Sequence, residues 1–216
     1  LTRKRRAAHM VRVLKKHFPN AGIVLNFSNT WELLVSVILS AQCTDKRVNI
    51  VTEKLFKKYT TLADYANASQ AEFEQDIRST GFYRNKTKNI MGTAQKIQEE
   101  YNGAVPGTMD ELLTLPGVAR KTANVVLGNA FSRVEGIAVD THVRRFAIKF
   151  DLTESKNPKK IEQDLMALFP KKEWFKLTYY LIEYGREICP ARRHECSEHP
   201  LTEIYPAAAD RWPQRL

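Results

Sequence analysis

Apolar side chains recur along this chain at the three-to-four-residue spacing of amphipathic helices. Met10, Leu14 and Phe18 mark a first helix, and the apolar run over residues 33–38 marks a second, more buried one. The same spacing predicts further helices near residues 46–58, 70–79, 85–101, 109–113, 120–131, 141–150, 158–168 and 172–184. No segment alternates apolar and polar residues convincingly with the period of two that a half-buried strand shows. The pattern therefore predicts an all-α protein.

Residues that favour helix ends lie at the edges of these segments. Ser69 with Glu72 has the spacing of a capping box, and Gly81 and Gly185 lie where helices are expected to stop. Asp140 precedes a predicted helix and is a good N-cap residue for it. These signals support the predicted helix boundaries.

One segment, LPGVARKTANVV over residues 115–126, predicts a helix, a tight hairpin and a second helix. Pro116 and Gly117 form the turn, and a capping-box pair, Thr108 with Glu111, opens the short helix before it. The second helix begins with backbone N–H groups that have no partner within the helix, and its dipole favours negative charge there. A phosphate is therefore the natural ligand, and the motif is typical of proteins that bind the DNA backbone.

Composition and charge narrow the possible partners. The 216 residues are 43% hydrophobic, which is enough for an ordinary core, and carry a formal net charge of +10. This charge favours an anionic partner through long-range attraction. The basic run over residues 2–6 is expected to be a solvated or frayed terminus that contacts phosphates.

The sequence also carries signals about the compartment. No apolar stretch reaches the roughly 18–20 residues that cross a bilayer, and the start lacks the apolar core of a signal peptide. Three cysteines do not make a disulfide framework. We expect an intracellular protein, cytoplasmic or associated with the nucleoid, that does not bind membranes.

The hairpin segment, together with VDTHVRR at residues 139–145, resembles the helix-hairpin-helix superfamily of DNA glycosylases, and the order of segments resembles its endonuclease III-like members. The resemblance extends to residues 29–49 and 79–90 and to the C-terminal segment. It implies two helical lobes: a six-helix barrel over residues 22–134, and a second helical domain from residues 1–21 and 135–216. DNA would lie in the cleft between the two lobes.

Lys121 and Asp140 occupy the family's two catalytic positions. A neutral lysine amine can attack a sugar carbon, displace a base and leave an imine to the opened sugar. The helix N-terminus and nearby Arg120 both disfavour the protonated amine. An ionised carboxylate at Asp140 either helps to activate the amine or stabilises the positive charge that develops on the sugar. Without the resemblance, Lys121 would be read as an ordinary phosphate contact and Asp140 as an N-cap.

Other positions are predicted to hold DNA. Such an enzyme must flip the damaged nucleotide out of the duplex and support the gap. Gln42 resembles the family's gap-filling glutamine and Phe82 its apolar wedge, although neighbouring Tyr83 could be the exposed ring instead. Gly117, Ala119, Arg120 and Arg144 are expected to contact DNA as well. Ala119 stands where the family often has a second glycine, and an alanine tolerates a positive φ poorly. Arg84, Lys86 and Lys88 are read as backbone contacts or as a solvated helix face.

The C-terminal segment departs from the family pattern. Members typically end with four cysteines, spaced C-x6-C-x2-C-x5-C, that hold a [4Fe–4S] cluster. Here the four positions are Cys189, Cys196, His199 and Tyr205. Because tyrosine is not an expected ligand of such clusters, we expect no cluster and no cofactor. A zinc site of Cys189, Cys196 and His199, with His194 as a further ligand, is the alternative.

If the cluster is absent, other parts of this segment must take over its roles. Arg192 and Arg193 remain available to contact phosphates. An apolar staple would replace the metal, and its members are Ile188, Leu201, Ile204, Tyr205 and Trp212.

The favoured function is a bifunctional DNA glycosylase and abasic-site lyase that excises oxidised pyrimidines in base excision repair. It would act as a monomer on double-stranded DNA with a damaged base or an abasic site, through a lysine Schiff base and β-elimination. One alternative is an adenine-mismatch glycosylase, which Lys121 disfavours. The other is a non-catalytic helix-hairpin-helix DNA-binding protein, which the presence of both Lys121 and Asp140 disfavours.

Overall fold

The computed structural model describes residues 1–211, and within them every regular element is helical. The prediction of an all-α fold is confirmed. None of the helices in this range is long and apolar enough to cross a membrane. The helices are α1 (Arg3–His17), α2 (Thr30–Leu39), α3 (Asp45–Lys58), α4 (Leu62–Ala66), α5 (Gln70–Ile77), α6 (Tyr83–Glu100), α7 (Met109–Leu112), α8 (Arg120–Ala130), α9 (Thr141–Lys149), α10 (Pro158–Leu168) and α11 (Lys171–Glu187), with short 3₁₀ helices at Arg78–Thr80 and Pro206–Ala208.

The chain divides into two compact units, and the first to be described is Val24–Glu135. Helix α2 is its most buried element, because every residue from Leu33 to Leu39 is buried. This helix packs against α8, while α6 packs against α4 and α5. The helix-hairpin-helix segment belongs to this unit, so α2 and α6 form the support on which it rests.

The other unit consists of Leu1–Ile23 and Gly136–Leu216. Helix α11 packs against α1 and α9, and α10 packs against α1 and α9 as well. Their facing sides form a core rich in aromatic rings, with Phe146, Phe150 and Tyr184 all at most 1% exposed. The first and last segments of the chain therefore fold together.

The basic N-terminal run is helical, so the prediction of fraying was wrong, while Lys4 and Arg5 are exposed as a solvated terminus would be. Residues from Arg3 onward are helical, and Arg6 is buried. The Arg6 guanidinium lies 2.8 Å from a carboxylate oxygen of Asp151, and the Arg3 guanidinium lies 3.2 Å from the other oxygen. These two arginines hold the start of the chain to the turn after α9.

Some helix-boundary signals were also misread. Helix α4 was missed, although Thr61 and Asp64 form its capping box with both hydrogen bonds present. Ser69 precedes α5 but makes no capping bond with its side chain. Gly185 does not end α11, which continues to Glu187. A Cβ on Gly185 would lie within 2.8 Å of the Arg145 side chain, so glycine allows α9 and α11 to approach closely.

Candidate active site and nucleic-acid interface

The hairpin is held from behind by helix α6. The hydroxyl of Thr93 donates a 2.8 Å hydrogen bond to the carbonyl of Pro116. Gly117 has a φ of +74°, and a Cβ there would lie 2.7 Å from the side-chain nitrogen of Asn89. Both its backbone conformation and the space around it therefore require glycine. The predicted turn at residues 116–117 is present. Gly117 has no side chain, so the exposed part of the turn is its backbone.

Helix α8 begins directly after this turn with an uncapped N-terminus. Ala119 is its N-cap residue, and alanine has no side-chain oxygen to accept the first N–H groups. The φ of Ala119 is −96°, so the alanine is unstrained where a positive φ was a concern. Gly117 and Ala119 are exposed and Arg120 is half-buried. The N–H groups of the first turn receive no bond from the N-cap side chain, and with the helix dipole they make this end a suitable place for an anion.

Lys121 is the second residue of α8, and it is exposed. Its position in the first turn is fixed by the buried residues that follow on the same helix, Ala123 and Asn124. The amine is thus presented to solvent at the same helix end as the uncapped N–H groups. A DNA strand bound at those N–H groups would place its sugar–phosphate backbone within reach of the amine.

Asp140 is half-buried and is the N-cap of α9. One of its carboxylate oxygens accepts a 2.8 Å hydrogen bond from the backbone N–H of Val143. The N-cap prediction is confirmed. The bond to Val143 uses only one of the two carboxylate oxygens. Arg144, on the same helix, is half-buried rather than fully exposed.

Gln42 and Phe82 lie on two loops of the same unit, and both have left-handed backbone conformations. Their φ angles are +52° and +48°. The Phe82 side chain is 67% exposed, an unusual degree for an aromatic ring in water. Tyr83 is half-buried, and the Arg84 guanidinium lies over its ring at 5.4 Å. Of the two rings, Phe82 is therefore the one presented to solvent.

Lys86 joins these two loops, which sequence reasoning missed. It was predicted to contact the DNA backbone or to lie on a solvated helix face, but it is only 4% exposed. Its ammonium donates 2.8 Å hydrogen bonds to the carbonyls of Leu39 and Thr80, and burial lowers its pKa. One bond holds the chain before Gln42 and the other holds the chain before Phe82. The signal was available, because Lys86 falls on the apolar stripe of α6 with Ile90.

The C-terminal loop brings together a different group of metal ligands from the one predicted. Cys189, His194 and His199 each offer a ligand atom, and the three atoms lie within 4.8 Å of one another. Cys196 is buried but is not in this group, and its thiol lies 3.7 Å from the carbonyl of Ala209. The structure therefore shows a Cys/His cluster that could hold a metal ion.

These residues do not fit the [4Fe–4S] cluster that the resemblance implies. Such a cluster is held by four thiolates, and the four family positions supply only two thiols. At the fourth position, the ring of Tyr205 contacts the guanidinium groups of Arg6 and Arg211, which lie 4.6 and 5.6 Å from its centroid. Tyr205 thus serves as an aromatic packing surface.

The apolar staple predicted for this segment is partly present. Leu201 and Ile204 are buried, and Ile188 and Tyr205 are half-buried against the same core. Trp212 lies outside the described residues. Arg192 and Arg193 are both exposed, in the loop that leads from Cys189 to His194. The loop is therefore anchored by its apolar residues while its cations face solvent.

Comparisons with known proteins show which family this chain is similar to. Residues 35–171 match the HhH-GPD superfamily of base excision DNA repair proteins. The chain is 48% identical over 207 residues to endonuclease III of Synechocystis sp., covering 96% of this chain and 94% of that protein. It is 47% identical to endonuclease III of Bacillus subtilis over 188 residues, covering 87% of this chain and 85% of that protein.

Solved structures of similar proteins give the same result at the level of the fold. A non-covalent endonuclease III–DNA complex superposes with a TM-score of 0.91 at 43% identity, covering 97% of this chain and 98% of that one. A trapped covalent endonuclease III–DNA intermediate superposes with the same TM-score at 42% identity and the same coverage. The chain belongs to the HhH-GPD superfamily of base excision DNA repair proteins and is a DNA glycosylase and abasic-site lyase of the endonuclease III type.

Proposed function

We propose that this enzyme excises oxidised pyrimidines from double-stranded DNA and cleaves the resulting abasic site, with Lys121 as its nucleophile. The observation that carries the proposal is the exposed Lys121 amine in the first turn of α8, beside uncapped N–H groups suited to a phosphate. Relatives described as endonuclease III in complex with DNA share this fold at 42–43% identity. The likeness to DNA-bound relatives and the position of the Lys121 amine therefore both support attack of this amine on a sugar of DNA.

The reaction needs the Lys121 amine as its nucleophile, together with groups that stabilise the developing charge and transfer protons. The amine forms a bond to the anomeric carbon of the sugar, and the bond to the damaged base breaks, with its electron pair leaving on the base. The sugar ring then opens to give an imine. Loss of a proton from the neighbouring sugar carbon expels the 3′ phosphate, which is the β-elimination, and water finally hydrolyses the imine.

Asp140 is proposed to supply the fixed negative charge of this reaction. Positive charge develops on the sugar as the base departs, and a carboxylate held in place stabilises it without reorganising. The bond from Val143 N–H holds the carboxylate in position. The same anion can instead help to take a proton from Lys121, and both roles require it to be ionised.

Gln42 and Phe82 are proposed to occupy the space that the flipped nucleotide leaves. Phe82 has the exposed ring that a wedge between base pairs requires, and Gln42 has an exposed amide that can hydrogen-bond to an unpaired base. Gly117, Ala119, Arg120 and Arg144 would hold the backbone of the strand, and Arg192 with Arg193 would add phosphate contacts. The enzyme would act as a monomer, in the intracellular compartment that holds the genome.

We also infer that catalysis proceeds without a [4Fe–4S] cluster. The inference rests on the donor set, because two of the four family positions carry His199 and Tyr205 instead of cysteine. No step of the reaction above passes through a metal. Anaerobically purified protein is expected to contain no iron and no acid-labile sulfide, and a brown protein with both would contradict the inference.

Borohydride trapping tests the proposed nucleophile. Borohydride reduces an imine to a stable cross-link, so the native enzyme should become covalently attached to duplexes that carry oxidised pyrimidines. Lys121→Gln should lose trapping and strand cleavage while retaining most of its affinity for lesion DNA, because one charge among many is removed. Lys159→Gln is a matched control, since Lys159 is also an exposed second residue of a helix, α10.

Three outcomes would count against the proposal. Cross-linking by Lys121→Gln would assign the nucleophile to another residue. Lesion binding without any trapping by the native protein would indicate a non-catalytic DNA-binding protein. Excision confined to adenine opposite a mismatched base would indicate an adenine-mismatch glycosylase.

A further inference from the structure

Three potential metal ligands converge in the loop after α11. The sulfur of Cys189 and one ring nitrogen each of His194 and His199 lie within 4.8 Å of one another. Cys189 is buried, and the two histidines are half-buried. The three residues are spaced five positions apart along the chain, so a single short loop supplies them all.

Separate hydrogen bonds hold the backbone at Cys189 and the ring of His194. The Cys189 N–H donates to the carbonyl of Tyr184, at 2.8 Å, in the last turn of α11. The Nδ1 of His194 lies 2.7 Å from the carbonyl of Arg192. A hydrogen on Nδ1 is needed for that bond, which leaves the lone pair of the neutral ring on Nε2. Histidine ligands of metals usually donate their second nitrogen to a carbonyl or carboxylate in this way.

The third side chain has a buried nitrogen with an unused lone pair or hydrogen. The Nδ1 of His199 is inaccessible to solvent and makes no hydrogen bond within the described residues. Buried polar atoms are rarely left unpaired, because their desolvation then has no compensation. A cation bound through this nitrogen would give it a partner.

The chemistry of the donors selects the class of cation. One thiolate and two imidazoles suit zinc and similar divalent transition metals, and do not suit the oxygen-seeking calcium or magnesium. Tetrahedral zinc with bonds of about 2.0–2.3 Å places its ligand atoms roughly 3.3–3.8 Å apart. Since the observed atoms lie within 4.8 Å of one another, their separations would need to shorten by at most about 1.5 Å.

A cationic side chain lies beside Cys189. The Arg145 guanidinium lies 3.9 Å from the Cys189 sulfur and donates a 2.7 Å hydrogen bond to the Cys189 carbonyl. Burial raises the pKa of the Cys189 thiol and the neighbouring cations only partly oppose this, so a metal ion bound to the sulfur would displace the thiol proton. Zinc with one thiolate would leave the site positively charged, so an anion such as hydroxide is favoured as the fourth ligand.

We propose that Cys189, His194 and His199 bind one divalent cation of the zinc class. The ion would connect the end of α11 to the turn at residues 196–199, across the loop that presents Arg192 and Arg193. If the proposed function is correct, the metal orders a phosphate-binding loop. Metal binding itself does not depend on that function.

The experiment is a titration of metal-free protein with Co²⁺, which reports its ligands spectroscopically, followed by displacement with Zn²⁺. We expect saturation at one equivalent, with the near-ultraviolet charge-transfer band of a cobalt–thiolate bond and the visible bands of a four-coordinate ion. His194→Ala and Cys189→Ser should each weaken Co²⁺ binding by at least about tenfold, since even the loss of an outer-shell partner has that effect. Cys189→Ser should also lose the charge-transfer band.

Matched controls separate this site from adventitious binding. Cys43→Ser removes the third cysteine of the chain, which belongs to the other compact unit, and should bind Co²⁺ as the native protein does. His194→Ala alters a half-buried loop side chain, so it should remain folded even if Cys189→Ser does not. Zn²⁺ should raise the melting temperature of the native protein and Cys43→Ser but not that of His194→Ala.

The proposal is wrong if metal-free protein fails to bind Co²⁺, or binds it without a thiolate band. It is also wrong if His194→Ala binds as tightly as Cys43→Ser. Because these measurements contain no DNA, they are independent of the trapping experiment. A protein that binds zinc but does not cross-link to DNA would overturn the proposed nucleophile and leave the metal site intact.

Discussion

At the scale of single residues, the same group can satisfy both structure and chemistry. Asp140 caps α9 through its bond to the Val143 N–H, and capping alone would explain an aspartate at this position. The reaction requires in addition a negative charge, which capping does not require. The two roles can be separated, because asparagine caps a helix about as well as aspartate but carries no charge.

Asp140→Asn should therefore remain folded and lose turnover. We expect the free energy of unfolding to change by less than about 0.5 kcal/mol, while single-turnover excision slows by about 10²–10³-fold. Asp140→Ala should lose the cap as well, at a cost of about 1 kcal/mol. Urea unfolding and excision kinetics measure the two effects. A large loss of stability in Asp140→Asn would show that structure dominates at this residue.

At the scale of helices and loops, the sequence was informative where local chemistry decides the conformation. The Pro116–Gly117 turn and the N-cap at Asp140 followed from the residues themselves. Helix α4 was missed because five residues are too few to show an apolar stripe. Lys86 was misread because a lysine on a helix is usually solvated, and its two partners lie 47 and 6 positions away along the chain.

Lys86 is expected to position the two loops that carry Gln42 and Phe82. Lys86→Met would leave the carbonyls of Leu39 and Thr80 without their donor, and we expect a loss of about 1–3 kcal/mol in stability. Because misplacement by about 1 Å can slow a reaction 10²-fold, excision should fall by at least tenfold at temperatures where the variant is folded. Urea unfolding and single-turnover excision measure these effects.

Two controls distinguish positioning from stability. Gln98→Met changes an exposed polar side chain on the same helix and should leave both quantities nearly unchanged. Ile97→Val removes a buried methyl group from α6 at a cost of about 0.5–1.5 kcal/mol and should preserve the excision rate. If Ile97→Val slows excision as much as Lys86→Met does, Lys86 has only a structural role.

At the scale of the whole chain, contacts between distant segments decide the fold, and no local pattern reveals them. Asp151 receives Arg3 and Arg6 from the first helix and Arg211 from the far end of the described chain. Burial alone would raise the pKa of Asp151, but the hydrogen bonds and charges of Arg3 and Arg211 outweigh it and hold the pKa below its usual value. This one carboxylate thus connects three segments of its unit.

A carboxylate with a lowered pKa stabilises the fold above its unfolded-state pKa, and that stability is lost as the pH falls through the folded-state pKa. Asp151→Asn should therefore be less stable than the native protein by about 1–3 kcal/mol at pH 7. The difference should shrink as the pH falls below about 4. Glu154→Gln is the control, since Glu154 pairs with the same Arg3 but is 84% exposed and should matter little. A difference that is independent of pH would contradict this account.

The net charge of +10 gives attraction to DNA, but attraction differs from a phosphate contact that a particular side chain makes. Each contact releases counterions and adds about 0.9 to the slope of log affinity against log salt concentration. Arg192→Ala combined with Arg193→Ala should therefore weaken DNA binding and reduce that slope by about 1.8, if both arginines contact phosphates. Fluorescence anisotropy on a lesion duplex at several salt concentrations measures the slope.

Lys171→Ala with Lys172→Ala is the matched control, because it removes two adjacent exposed cations from the same compact unit. Both double variants lower the net charge equally, so long-range attraction changes alike in both. Only the arginine pair should reduce the salt slope, because only direct contacts release counterions from the phosphates. Equal slopes for the two double variants would show that the loop acts through its charge at a distance, and Arg192 and Arg193 would then be removed from the DNA interface.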